Sequence, residues 1–327
     1  MLRRLLCSAS TVALVTVFLM AVPAWAGMGQ PSPGEMGLQA AATPVSEEIH
    51  KLYDFVNIII VAITAFIMLL LLYVIFRFSE RSNAVPTETT HNTLLEVAWT
   101  VIPILILVAI AIPSFRLLNF QYSYPKADVT VKATGYQWYW EHAYPDNGGF
   151  KFETRMLDNE QRAELEAENI PAPRLLAVDN EVVVPVNKVV NVLVTADPDG
   201  VIHDWTIPSF GSKVDAVPGR VTTTWFKSTH EGIFYGQCSE LCGKDHAFMP
   251  IAVRVVKEET FNAWVDAMQA ANTAGTDARA EKDKAARRDK LKLKKELLKK
   301  AKDILREAAL QQGSTRKLAE VDATAAQ

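Results

Sequence analysis

A chain of 327 residues has room for a targeting segment, a membrane anchor and one or two domains. Hydrophobic residues make up 49% and charged residues 22%, with mean hydropathy just above zero; that is too apolar for a disordered protein, and the apolar residues are bunched rather than spread. The net charge of −3 conceals three blocks: residues 1–118 carry 6 Lys+Arg against 7 Asp+Glu, residues 119–271 carry 13 against 21, and residues 272–327 carry 15 against 9, so the acidic middle would attract a basic partner and the basic tail something anionic.

Residues 1–26 read as a secretory signal peptide, with Arg3 and Arg4 at the start, an apolar stretch to Val22 and Ala24-Trp25-Ala26 as the cleavage site. An uncleaved first membrane helix is the alternative. Cys7 falls in this segment, so the mature chain keeps Cys238 and Cys242. Two cysteines four apart are not the framework of a disulfide-stapled domain. Residues 27–50 contain Gly, Pro, Ser and Ala in plenty and are expected to be an exposed lead-in.

Two apolar runs follow, giving expected transmembrane helices at 51–78 and 94–118, each longer than the ~20 residues that cross a bilayer. Pro103 and Pro113 lie in the second, where a membrane helix tolerates them. The loop 79–93 and its approach hold Arg77 and Arg81, which places the loop in the cytoplasm and both mature termini outside. Thr93-Leu-Leu-Glu96 reads as a capping box at the start of the second helix.

From residue 119 to 271 the texture changes. Short alternating or β-branched runs, such as 128–134 (DVTVKAT), 189–194 (VVNVLV) and 251–256 (IAVRVV), are punctuated by Gly, Pro, Asp and Asn. This predicts an all-β sandwich or barrel, with an acidic helical insertion at 158–169 and a closing helix at 258–271 whose apolar side is Phe261, Trp264, Val265 and Met268. Residues 272–327 are rich in Ala, Lys, Arg and Glu, with Leu291, Leu298 and Leu305 at sevens. They predict a basic amphipathic helix within a partly disordered tail, either solvated or touching anionic lipid or another subunit.

The segment Cys238-Ser-Glu-Leu-Cys242-Gly-Lys-Asp-His246-Ala-Phe-Met249 offers two thiols, an imidazole and a thioether within twelve residues. Soft sulfur with imidazole suits copper and argues against calcium, magnesium or manganese as the ion held. A mononuclear blue-copper site needs one Cys, whereas two thiolates can each bridge two ions, so a dinuclear centre follows naturally. The second imidazole must come from elsewhere in the sequence, and His203 stands at an upstream strand start. A disulfide between the cysteines and a zinc site of Cys238, Cys242, His246 and His203 stay open, although zinc leaves Met249 without a role. His50, His91, His142 and His230 match no ligand spacing and are expected to be surface or interfacial.

The pattern C-S-E-L-C-G-x-x-H-x-x-M resembles the CuA loop of cytochrome c oxidase subunit II of the bacterial aa3 type, and 135–140 (GYQWYW), 215–220 (DAVPGR) and 235–238 (YGQC) are similar to further stretches of that family. The resemblance covers nearly the whole mature chain to about residue 271 and implies a helical hairpin followed by a cupredoxin-like domain. It implies two coppers held by His203, Cys238, Cys242, His246, Met249 and the Glu240 carbonyl, with the Glu240 side chain reaching a magnesium ion at the interface with subunit I. Trp138 matches the position of electron entry, while Trp140 is expected in the core. Glu96 matches the mouth of a proton path, and Glu141, Asp146, Glu153 and Asp199 are candidate docking acids near family positions that here are Ala143 and Gly200. Implied partners are the haem-bearing subunit I, subunit III, cytochrome c and membrane lipid, with no nucleic acid. The implied location is the bacterial inner membrane, with the copper domain on the periplasmic side. Three other readings are a quinol oxidase subunit II, which lacks the copper ligands; a membrane-anchored copper-delivery protein; and the CuA domain of a nitrous oxide reductase.

Overall fold

The computed structural model describes residues 28–325 apart from 83, 84, 86, 87 and 89, with side chains to residue 313. The expected signal segment lies outside the described residues. Two apolar helices come first, α1 (Pro44–Arg77) and α2 (Thr93–Gln121). At 34 and 29 residues they run about 51 and 44 Å, longer than the ~30 Å hydrocarbon core. No residue in their most apolar windows is buried, which is the exposure a lipid-facing hairpin needs. Asn92, not Thr93, is the N-cap of α2: its Oδ1 accepts from the amides of Leu94 and Leu95. The expected capping box is therefore corrected, since Asn caps as well as Thr and sits one residue earlier. Glu96 remains in the first turn of α2.

The lead-in is not exposed throughout, contrary to expectation. Ala42, Thr43, Val45 and Ser46 are buried. Gly29 takes part in two hydrogen bonds, its amide donating to Ser209 Oγ and its carbonyl accepting from the Tyr235 amide. Thr43 caps α1 by accepting from the Ser46 amide, and its own hydroxyl donates to the Phe210 carbonyl. At the other end of the hairpin, Trp225 Nε1 donates to the Gln121 carbonyl at 2.9 Å. Both outer helix ends are thus fastened to the domain they carry.

That domain is a β-sandwich of ten strands: β1 (Val129–Tyr136), β2 (Tyr139–Ala143), β3 (Lys151–Thr154), β4 (Val182–Pro185), β5 (Val190–Ala196), β6 (His203–Ile207), β7 (Ser212–Ala216), β8 (Thr222–Phe226), β9 (Gly232–Gln237) and β10 (Pro250–Val256). One sheet has the order β3-β2-β1-β5-β8, a second β4-β10-β9, and β6 pairs with β7. The period-2 pattern drives this. Val129, Val131 and Ala133 on β1 and Val190, Val192 and Val194 on β5 point inward, against Val253 and Val255 of β10. Trp140, Trp205, Phe210, Phe226 and Phe234 fill the core between them. A bridge between Trp205 and Cys238 ties β6 to the end of β9.

The acidic insertion forms α3 (Asn159–Ala167), started by a capping box of Asp158 and Gln161. The closing helix α4 (Glu258–Ala280) runs beyond the expected residue 271 and is followed by α5 (Lys284–Ala325). Its extra turns have a partner: Ala271, Ala274, Gly275 and Ala278 are buried on it, and Lys294 of α5 lies against Gly275. Nor is the tail an unpartnered amphipathic stretch. Ala301 and Ala308 enter the main core, Ile304 and Leu305 pack on it, and Gln312 Nε2 donates to the Val255 carbonyl.

Candidate metal centre

Three pieces of chain meet at one end of the sandwich: the start of β6, the loop after β9 and the start of β10. His203 begins β6 and is fully buried; Cys238 and Cys242 are 5% and 3% exposed, and Met249 is 1% exposed. Cys238 Sγ lies 3.8 Å from His203 Nδ1, 3.8 Å from Cys242 Sγ and 3.3 Å from the Glu240 carbonyl oxygen. Cys242 Sγ lies 3.5 Å from His246 Nδ1 and 3.6 Å from Met249 Sδ. The cysteines are free thiols. All six expected donor groups therefore converge, and none of the six is a carboxylate.

The electrostatics suit neutral and soft donors. Burial, with His246 nearby, lowers His203 to about 4, so its imidazole is uncharged at neutral pH and keeps a lone pair. Its Nε2 has no hydrogen-bond partner, an unusual state for a buried nitrogen. Burial and the adjacent Cys238 sulfur push the Cys242 thiol up to about 12; a cation would be required to hold it as thiolate. Two thiols, a thioether, two imidazoles and a carbonyl fit a soft, imidazole-accepting metal such as copper.

The scaffold leaves little slack. Gly135 on β1 abuts the imidazole: a Cβ there would lie 2.7 Å from His203 Cδ2. Gly243 has φ +124, and a Cβ on it would lie 2.8 Å from Trp138 Cζ2. Trp138 Nε1 donates to the Cys242 carbonyl at 3.0 Å, so this half-buried indole touches the backbone of a candidate ligand residue. Trp140 is fully buried, and its Nε1 donates to the Met249 carbonyl at 3.2 Å.

The remaining expected site residues lie elsewhere. The Glu240 side chain is exposed on the ligand loop. Glu141 and Glu153 are cross-strand partners on β2 and β3, each in an ion pair, Glu141 with Lys151 and Glu153 with Arg155, both at 2.8 Å. Asp146 is exposed on a short 3-10 helix, 145–147, and Asp199 is exposed in a turn. His142 is corrected: it is not at the surface but fully buried, with Nδ1 2.8 Å from Thr154 Oγ1 and Nε2 3.4 Å from Trp205 Nε1. Sequence reasoning passed it over because it tested ligand spacing alone; two residues from Trp140 on one strand, it shares the inward face by strand period.

The family profile described as cytochrome c oxidase subunit II, periplasmic domain, matches residues 129–256, and the profile of the transmembrane domain of the same subunit matches residues 31–117. Cytochrome c oxidase subunit 2 of Cereibacter sphaeroides is 51% identical over 251 residues, covering 73% of this chain and 82% of the relative. The probable cytochrome c oxidase subunit 2 of Rickettsia bellii is 48% identical over 236 residues, covering 72% and 85%. A crystal structure of the periplasmic domain of subunit II of the Bradyrhizobium japonicum cytochrome oxidase is 57% identical, covers 44% of this chain and 96% of that one, and has a TM-score of 0.40. Two apolar helices, a β-sandwich and a sulfur–imidazole donor set, matched along both family profiles, make this chain a member of the cytochrome c oxidase subunit II family, a membrane-anchored subunit of a haem-copper oxidase whose family implies a copper centre.

Proposed function

We propose that this chain is the electron-entry subunit of its oxidase. His203, Cys238, Cys242, His246, Met249 and the Glu240 carbonyl would hold two copper ions. Bound there, copper would supply one-electron relay between cytochrome c and the haem of subunit I, where oxygen is reduced and protons are pumped. The observation that carries this reading is the convergence of six soft or neutral donors from the start of β6 and the loop between β9 and β10, each within 3.8 Å of Cys238 Sγ or Cys242 Sγ.

The chain's own residues would do the rest. The sandwich holds the donors rigid, which keeps their geometry constant between charge states. Trp138, bonded to the Cys242 carbonyl, would be the point of electron entry. The exposed Glu240 side chain would reach a magnesium ion at the subunit I interface. The acidic block, including Glu141, Asp146, Glu153 and Asp199, would steer a basic cytochrome, with Asp146 and Asp199 carrying more of that role because Glu141 and Glu153 are already paired. Glu96 would lie at the mouth of a proton path, where the N-terminus of α2 also favours its charge. Subunits I and III would surround the hairpin in the bacterial inner membrane, with the metal domain on the periplasmic side.

The test is Cys238→Ser in the assembled oxidase. Reduction of the haem by cytochrome c should be lost while a small artificial reductant still reduces it. Unchanged reduction by cytochrome c would sink the entry-site reading and leave a membrane-anchored cupredoxin with another task.

A further inference from the structure

We propose that His142 is a positioning residue for the metal centre: a neutral imidazole whose Nε2 anchors Trp205, and through Trp205 the strand that carries His203.

The argument is one of hydrogen-bond polarity. An indole N–H can only donate, so the 3.4 Å contact from Trp205 Nε1 requires a bare lone pair on His142 Nε2. The proton of the neutral ring is then on Nδ1, which donates to Thr154 Oγ1 at 2.8 Å. With that oxygen accepting, the Thr154 hydroxyl is free to donate, and the Asn180 carbonyl takes it at 3.0 Å. Each hydrogen in the chain has one acceptor and no donor is left over. An imidazolium would set two N–H groups head to head at Trp205. The ring's other neighbours are Trp140 and Phe152, and no charged side chain contacts it among the described residues, in keeping with a pKa lowered to about 3 by burial.

Position gives this chain of bonds its purpose. Trp205 lies two residues from His203, on the same face of β6, and bridges the backbone of Cys238. His142 lies two residues from Trp140, whose ring meets His203 edge-on at 5.9 Å and whose Nε1 bonds the Met249 carbonyl. One buried imidazole thus joins β2 and β3 to the strand of His203 and lies beside the indole that braces His203 and Met249. Partners of this kind, one step removed from the ligands, orient a metal site.

The inference rests on the copper reading for its purpose, but not for its polarity, so two measurements keep them apart. In the full chain in detergent with 15N-labelled histidine, the ring signal that disappears in His142→Gln should show a protonated Nδ1 and a bare Nε2, unchanged from pH 7 to pH 5. If that ring shows the other tautomer, or charges by pH 5, the inference is overturned whether or not copper binds. In the copper-loaded chain, His142→Phe should shift the reduction potential and the copper hyperfine pattern at full loading. His142→Gln, which can still accept from Trp205, should restore both towards the parent values. Should His142→Phe fail to fold, Trp205→Phe deletes the donor with the aromatic packing kept, and the same shift is expected. Parent-like potential and spectrum in either Phe variant would reduce His142 to a packing residue. A parent chain that binds no copper would refute the copper reading alone.

Discussion

Replacing Gly135 by Ala tests how tightly the scaffold sets the metal centre. The added methyl would lie 2.7 Å from His203 Cδ2, 2.9 Å from Cγ and 3.1 Å from Cβ, so relief to ordinary contact near 3.6 Å requires a shift of about 1 Å. The imidazole has nowhere open to go: it is fully buried, with Trp140 at its edge and Cys238 beside it. Overpacking of this kind costs about 1–3 kcal/mol of stability. Misplacing a ligand should weaken copper binding on the order of 10–100-fold, the range for lost orienting contacts. The assay is copper competition with a chelator of known affinity, alongside unfolding of the metal-free chain. Gly37→Ala, at a position with nothing within 4 Å of a new Cβ, is the control and should change neither. Gly135→Ala with parent-like copper affinity would refute the claim that β1 fixes His203.

Other expectations follow from the same contacts. Glu181→Ala would strand the guanidinium of Arg254, whose side chain is 6% exposed and bidentate on Glu181; unfolding free energy should drop by about 3–5 kcal/mol in denaturant titration. Truncation after residue 283 removes Ala301, Ile304, Leu305 and Ala308 from the core, and the two larger side chains alone account for a loss of about 3–6 kcal/mol. It should leave the copper spectrum intact, because every donor lies between His203 and Met249. His142 has a folded pKa near 3 against 6.5 for the free side chain, so the unfolded chain binds the extra proton between these values. Its contribution is fully present above pH 6.5 and is lost at about 1.4 kcal/mol per pH unit as pH falls towards 3; the difference in acid stability between the parent and His142→Gln should show that slope. Copper uptake at neutral pH should release a proton from Cys242 and weaken as pH falls, because Cys242 is a thiol without metal.

The hairpin and the candidate donor set were legible because each is written in a short, local code. Runs of apolar residues longer than a bilayer is thick leave few alternatives, and C-x3-C-x3-H-x2-M names four donors in one loop. His203 was also legible, from its strand start and the family resemblance. What escaped was encoded in weak or distant signals. The buried seam of α5 is made of Ala301, Ala308 and Ala309, small residues that barely mark an apolar face, whereas Leu291 of the conspicuous sevenfold leucine row is 41% exposed. The lead-in buries Ala42 and Thr43 against Ser209 and Phe210, more than 160 residues away, and no local pattern announces such a pairing. His142 was hidden by asking a histidine only whether it ligates; the strand period beside Trp140 would have turned it inward.

The most direct test of the account is the metal content and paramagnetic spectrum of the full chain, purified in detergent and loaded with copper. The account predicts two copper ions per chain, a purple colour and a signal from one electron shared between both, all lost in Cys238→Ser. A single blue copper, or one colourless zinc, would contradict it.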